Sequence, residues 1–188
     1  MPEFKPEISS EILKGCLKGK LEAQKALYKQ FYAYGMSICL RYSHNRDEAA
    51  EIMNDSFLKV FNNLSAYKIE FSFRSWFRRI IINTAIDNFR KNKKFYNHYD
   101  EDLIDNEVVD NDLIDEIDFE GVMALMNELP EHYRLTFNLF EIEGYSHEEI
   151  AKIMGIAEST SRSNLTRAKK ILRNAFLKLY KRDYAQVI

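Results

Sequence analysis

The sequence predicts an all-α protein built from two small helical domains joined by an acidic linker, the C-terminal domain being a helix-turn-helix bundle. Three observations carry this expectation. Apolar residues recur at helical spacing over most of the chain, and no segment sustains the alternation of a strand. At Asn45/Glu48 and again at Ser146/Glu149, a short polar side chain precedes a glutamate by three residues, the spacing of a helix-opening capping box. Charge is gathered in blocks: a basic stretch and an acidic stretch adjoin in mid-chain, and a second basic stretch follows Arg162.

The blocks matter more than the total. The formal net charge is only -2. Residues 72–94 nevertheless hold seven bases (Arg74, Arg78, Arg79, Arg90, Lys91, Lys93 and Lys94) against Asp87. Residues 95–120 hold eleven acids and no Lys or Arg. Two basic segments around an acidic one fit polyanion-binding faces joined by a solvated connector. The 188 residues suffice for one ordinary domain or two small ones. Cys16 and Cys39 lack metal-ligand spacing, and His44, His98, His132 and His147 are dispersed, so neither a metal nor a cofactor is expected. Without an apolar signal core or a membrane-length run, the expected location is cytoplasmic.

Residues 1–7, with Pro2 and Pro6, read as a frayed arm. Helical spacing covers 8–17 and then 21–42, where Ala26, Leu27, Phe31, Tyr34, Ile38 and Cys39 share one side. The Asn45 box opens a third helix running to about residue 64. Its Ala49, Met53, Phe57, Val60 and Leu64 form a core face, and the opposite face carries Glu51, Asn54, Asp55 and Leu58. Two readings fit that second face: a docking patch for a partner helix, or a solvated surface with one stray leucine.

Residues 65–72 read as a loop leading into FRSWFRRIIINTAIDNFRKNKK. In this fourth helix Phe73, Trp76, Phe77, Ile80, Ile81 and Thr84 form a core stripe, while Arg79, Asn83, Ile86 and Arg90 share another face. Guanidinium groups suit phosphates, and an amide can read a base edge. Tyr67, Phe71 and Phe73 beside the helix start either stack on unpaired bases or simply close the core. Asp87 is placed to pair with Arg90 or Lys91. The acidic stretch 98–118 reads as a flexible or loosely helical connector.

Helical spacing resumes at 119–129, Pro130 suits the first turn of the next helix, and Gly144 can end it. The stretch YSHEEIAKIMGIAESTSRSNLTRAKKILR, residues 145–173, reads as a short capped helix, a glycine turn at Gly155 and a longer basic helix. That is the layout of a helix-turn-helix DNA reader, and equally that of two amphipathic helices in an ordinary bundle. The last helix extends to about residue 180.

Taken in order, these segments resemble the extracytoplasmic-function sigma factors of bacterial RNA polymerase over nearly the whole chain. DEAAEIMNDSFLKVFNNL resembles the family's polymerase-binding helix, with Asn54-Asp55-Ser56-Phe57 where Gln-Glu-Thr-Phe is typical. FRSWFRRIIINTAIDNFRKNKK resembles the helix that recognises the promoter −10 element. LPEHYRLTFNLFEIEGYSHEEIAKIMGIAESTSRSNLTRAKKIL resembles the domain that reads the −35 element.

The resemblance implies a region 2 domain at 8–96, an acidic linker at 97–118 and a region 4 domain at 119–182. It implies that Glu51, Asn54, Asp55 and Leu58 bind core RNA polymerase. The 65–72 loop, with Tyr67 and Phe71, would hold a flipped non-template base, and Arg79, Asn83, Ile86 and Arg90 would lie along the −10 strand. Arg162, Ser163, Thr166 and Arg167 would contact the −35 element, with Lys169, Lys170 and Arg173 on phosphates. The implied function is a non-catalytic specificity subunit that directs promoter-specific initiation, opens the −10 region and is restrained by an anti-sigma protein. Two departures stand out: Ala157 replaces the usual Ser or Thr opening the recognition helix, and Asn164 replaces a commonly basic residue. The rival classes are a stand-alone helix-turn-helix regulator and, lacking carboxylate clusters for two metals or a cradled nucleophile, a less favoured nucleic-acid enzyme.

Overall fold

Glu7 does not fray: its carboxylate accepts hydrogen bonds from Ser72 and from the backbone N–H of Arg74, and Ile8 beside it is fully buried. The computed structural model of the chain describes residues 7–93 and 119–184. The acidic stretch assigned to 97–118 therefore lies outside the described residues, as do 94–96. The chain divides into two units, residues 1–88 and 89–188, and no strand occurs among the described residues.

In the first unit, α1 (Ser10–Leu17) is capped by Ser9, whose side chain accepts from the Ile12 N–H. Helix α2 spans Leu21–Tyr42, and α3 spans Arg46–Asn63 before a single 3-10 turn at Leu64–Ala66. Asn45 caps α3 through the Glu48 N–H, as its spacing predicts; the Glu48 carboxylate reaches one residue further back than a standard box and accepts from the His44 N–H. All five predicted core residues of α3 are buried, together with Ile52 and Ser56. Ser56 lies in the core because its hydroxyl donates back to the Ile52 carbonyl at 2.6 Å, satisfying a group that would otherwise be costly to bury.

Helix α4 spans Phe73–Lys93. Phe73, Phe77, Ile81 and Thr84 are buried, whereas Trp76 and Ile80 are half-buried at the edge of the stripe. An aromatic cluster joins three elements: Phe31 meets Phe73 at 4.5 Å, and Phe57 meets Phe77 at 4.7 Å between ring centroids. Gly35 admits this packing, since a β-carbon there would lie 2.7 Å from the Met53 sulfur and 2.9 Å from the Phe77 ring. Asp87 does not form the predicted pair within its own helix. It receives Lys59 of α3 at 2.8 Å, an inter-helix contact that spacing along one helix cannot reveal.

In the second unit, α5 (Phe119–Asn127) is followed by α6 (Glu131–Phe137), with Pro130 as the residue preceding its first turn. The helical path then widens into a π turn at Asn138–Ile142, and Gly144 with φ 76° redirects the chain. Nothing in the residue spacing anticipates this widening. Around it Arg134, Thr136 and Asn138 are buried polar residues, and Thr136 donates to the His132 carbonyl at 2.8 Å. Helix α7 (His147–Met154) carries the full reciprocal capping box of Ser146 and Glu149 and ends at Gly155 with φ 63°. Helix α8 spans Glu158–Tyr184, about one turn beyond the predicted end. Met126, Leu129 and Ala168 form a buried cluster closed by Tyr133, Phe137, Ile171 and Leu172.

Candidate nucleic-acid and polymerase interfaces

On α3, burying Ala49, Ile52, Met53, Ser56, Phe57 and Val60 leaves the reverse side free. Glu51, Asn54, Asp55 and Leu58 are all exposed there, Leu58 at 60%. Asn54 is not isolated: its side-chain oxygen lies 3.4 Å from the Tyr28 hydroxyl of α2, whose ring packs on Phe57. Burial raises the Tyr28 pKa, so the phenol stays a neutral donor. The patch thus presents two carboxylates, an oriented amide and an apolar side chain on a rigid helix.

Between the 3-10 turn and α4 lies a groove of about 490 Å³ lined by Tyr67, Lys68, Phe71, Ser72, Trp76 and Arg79. Tyr67 forms its floor rather than a free stacking surface. The residue is 9% exposed, its ring meets Phe73 edge-on and Trp76 at 5.3 Å each, and its hydroxyl donates to the Phe71 carbonyl at 2.8 Å. Burial, then the nearby Glu7 and Glu70 carboxylates, push its pKa up. Phe71 is the opposite case: it stands 65% exposed on the rim, with its backbone held by Tyr67. A groove with an exposed ring at its rim, an aromatic floor, and Lys68 and Arg79 in its lining can take a planar base with its phosphate.

Along α4, Arg79, Asn83 and Arg90 are exposed as expected. Ile86 departs from the expectation, being 5% exposed. Ile82 and Ala85 beside it are buried as well.

In the second unit the two faces of α8 separate cleanly. Ser161, Asn164, Leu165 and Ala168 are buried on one side. Asn164 therefore faces inward, and the unusual residue there does not alter the outer surface. Arg162, Ser163, Thr166, Arg167 and Lys170 fall within an arc of about 140° on the other side at about 100° per residue. Arg162, Ser163 and Thr166 are exposed, while Arg167 and Lys170 are half-buried.

Several of these side chains are held. Arg162 pairs with Glu158 one turn earlier, and Ser163 and Thr166 donate to the carbonyls of Thr160 and Arg162. Arg167 donates from Nη1 to the Tyr133 hydroxyl of α6 at 3.2 Å, and Lys169 pairs with Glu141 at 2.7 Å. The contacts of Arg162, Ser163 and Thr166 lie within α8 and follow from spacing along it, whereas those of Arg167 and Lys169 reach other elements and do not. The start of α8 is fixed against α7 by His147, whose Nδ1 lies 2.9 Å from the Ser161 hydroxyl and whose ring stacks on Phe140 at 4.4 Å. The result is a capped helix, an αL glycine turn and a second helix with an ordered cationic face.

Among the described residues, no three His, Cys, Asp or Glu side chains gather to hold a metal ion. Cys39 is buried, and burial pushes its pKa up to about 12, which leaves an unreactive thiol. No helix among the described residues is long and apolar enough to cross a membrane.

Comparison with known proteins places the chain in a family. Residues 27–95 match sigma-70 region 2, and residues 119–172 match sigma-70 region 4. The RNA polymerase sigma factor SigV of Bacillus subtilis is 30% identical over 145 residues, covering 77% of this chain and 83% of that protein. The RNA polymerase sigma-H factor of Pseudomonas aeruginosa is 28% identical, with 74% and 79% covered, and the ECF RNA polymerase sigma-E factor of Haemophilus influenzae is 26% identical, with 69% and 75% covered. Among solved structures, the sigma factor RpoE in complex with the anti-sigma factor NepR from Bartonella quintana is similar with a TM-score of 0.48 and 20% identity, over 81% of this chain and 95% of that one. With both sigma regions present in order, the chain belongs to the extracytoplasmic-function sigma factors of bacterial RNA polymerase.

Proposed function

We propose that this sigma factor divides its work among three surfaces. The α3 face of Glu51, Asn54, Asp55 and Leu58 binds core polymerase, and the observation that carries this is a leucine 60% exposed among carboxylates on a helix whose other side is fully packed. The groove at Phe71, with Arg79, Asn83 and Arg90, receives the non-template −10 strand. Arg162, Ser163, Thr166 and Arg167 read the −35 duplex, and Lys170 holds a phosphate. Extruding a base costs a few kcal/mol, which stacking on Phe71 and phosphate contacts must offset.

In this reading the functional domains are 8–96 and 119–182, joined through 97–118. The protein makes no bond itself, and polymerase supplies the chemistry in the cytoplasm. An anti-sigma protein restrains it by covering the core-binding and DNA faces.

The test is reconstitution. The purified chain is mixed with bacterial core polymerase, and run-off transcription is selected from a randomised promoter library. Enrichment of two elements at fixed spacing is expected. A Glu51→Lys, Asp55→Lys variant should fail to co-purify with core while folding normally; full retention would sink the assignment of the α3 face.

A further inference from the structure

Glu7 joins three parts of the first unit that are far apart in sequence. Its Oε1 accepts from the Ser72 hydroxyl at 3.0 Å, and its Oε2 accepts from the Arg74 backbone N–H at 2.8 Å. Gln30 of α2 donates to the Glu7 backbone carbonyl at 2.6 Å and so holds the main chain that carries the carboxylate. Ile8, fully buried, anchors the next residue. Ser72 already serves α4 locally by accepting from the Ser75 N–H at 3.3 Å. The first turn of α4 therefore has two caps, one of them brought from 67 residues upstream of the N–H it meets. A carboxylate at that end also meets the positive pole of the helix.

This cap bears on the groove. Ser72 lines it, and Phe71 is the preceding residue. The 67–71 segment is tied at its start by the Tyr67 hydroxyl on the Phe71 carbonyl, and Glu7 ties the residues that follow. With both ends fixed, the backbone that carries Phe71 starts from one position at the groove that Tyr67 and Trp76 also line, so less freedom is lost when a base arrives. We propose that Glu7 is a positioning residue for base capture at the −10 groove, an inference that rests on the reading of that groove given above. It acts through Ser72 and the α4 end, not by touching DNA.

The test uses holoenzyme made from core polymerase and the full chain, on a promoter taken from the library selection. Opening is followed by permanganate reactivity of unpaired thymines, on duplex template and on the same template with a premelted −10 segment. Glu7→Ala should open about five- to tenfold less, the usual worth of a capping contact. Glu7→Gln should stay within about twofold, because its amide oxygen can accept from Arg74 and its NH₂ can donate to the Ser72 hydroxyl. Premelting should relieve the Glu7→Ala deficit, which general loss of folded protein would not allow. Ser72→Ala should reduce opening too, and should add little on top of Glu7→Ala.

Wild-type opening by Glu7→Ala, an equal deficit on the premelted template, or fully additive losses with Ser72→Ala would each overturn the proposal. Phe71→Ala and Arg79→Ala separate the two levels. If neither impairs opening, the groove reading itself fails; if both do and Glu7→Ala does not, only the role of Glu7 fails.

Discussion

Arg167 on the outer face of α8 donates from Nη1 to the hydroxyl of Tyr133, which sits 34 residues earlier on α6. A guanidinium reads a guanine edge only when its plane is held toward O6 and N7, and a flexible arginine loses side-chain entropy on binding. Tyr133 also belongs to the apolar seam with Met126, Leu129 and Ala168, so the tether stands on a rigid support. Tyr133→Phe keeps the ring in that seam and removes the acceptor. It should weaken binding of the selected −35 duplex about three- to tenfold, in line with the net worth of one hydrogen bond. Discrimination should fall at one base pair while the salt slope stays unchanged, because no phosphate contact is lost. Arg167→Ala should cost more at the same base pair. An unchanged base preference in Tyr133→Phe, measured by anisotropy with labelled duplexes, would exclude the tether.

The same guanidinium bears on pH. His132, whose ring lies 4.0 Å from that of Tyr133, has its pKa lowered first by burial and then by the charge of Arg167. The folded-state pKa thus lies below the ordinary 6.5. As pH falls through 6.5 the unfolded chain takes up the proton first, so stability is fully present above that pH and is lost as pH drops toward the folded-state value. His132→Gln cannot titrate. Between about pH 7.5 and about pH 5.5 its melting temperature should fall less than that of the wild type. An equal fall in both would remove His132 as the cause.

How much of this was legible in the sequence depended on the range of the interaction. The Ser146/Glu149 box, the Gly155 turn and the α3 core are set by contacts within one or two turns, and residue spacing predicts them. The Glu7–Arg74 contact, the Lys59–Asp87 pair and the Tyr133 tether join elements 28 to 67 residues apart, and local periodicity carries no sign of them. By spacing alone Tyr67 fits both stacking and core roles, and its burial, its packing on Phe73 and Trp76 and its hydroxyl partner at Phe71 decide between them.

Gly35 offers a test of the first unit's packing in which two effects oppose. Replacing a mid-helix glycine by alanine ordinarily stabilises by about 0.5–1 kcal/mol. Here the added methyl would lie 2.7 Å from both the sulfur and the terminal methyl of Met53 and 2.9 Å from the Phe77 ring, so a packed core must shift. Overpacking of that kind costs about 1–3 kcal/mol, and the clash should win. Gly35→Ala should therefore melt lower than the wild type. In a Met53→Ala background, itself destabilised by the cavity it leaves, adding Gly35→Ala should cost less than it does in the wild type, since the side chain in the way is gone. A higher melting point for Gly35→Ala alone would show that Met53 moves aside freely.

Helix α8 has the opposite defect at its start. The Ser161 N–H bonds to the Ala157 carbonyl at 3.1 Å, which makes Ala157 the residue that opens α8. Its methyl cannot accept from the free N–H groups of the first turn, and the Glu158 carboxylate is engaged with Arg162. Ala157 is exposed, so a hydroxyl there displaces nothing. Ala157→Ser should stabilise the second unit by about 1 kcal/mol, the usual value of an N-cap. The signal must be chosen with care: the single tryptophan, Trp76, lies on α4 in the first unit, and its fluorescence should report no change. Far-ultraviolet circular dichroism of the full chain should show the later or earlier melting of the second unit directly, with a rise of about 4 °C expected for a unit of this size. A rise seen by Trp76 as well would mean that the two units melt together. No rise by either probe would place the start of α8 elsewhere than Ala157.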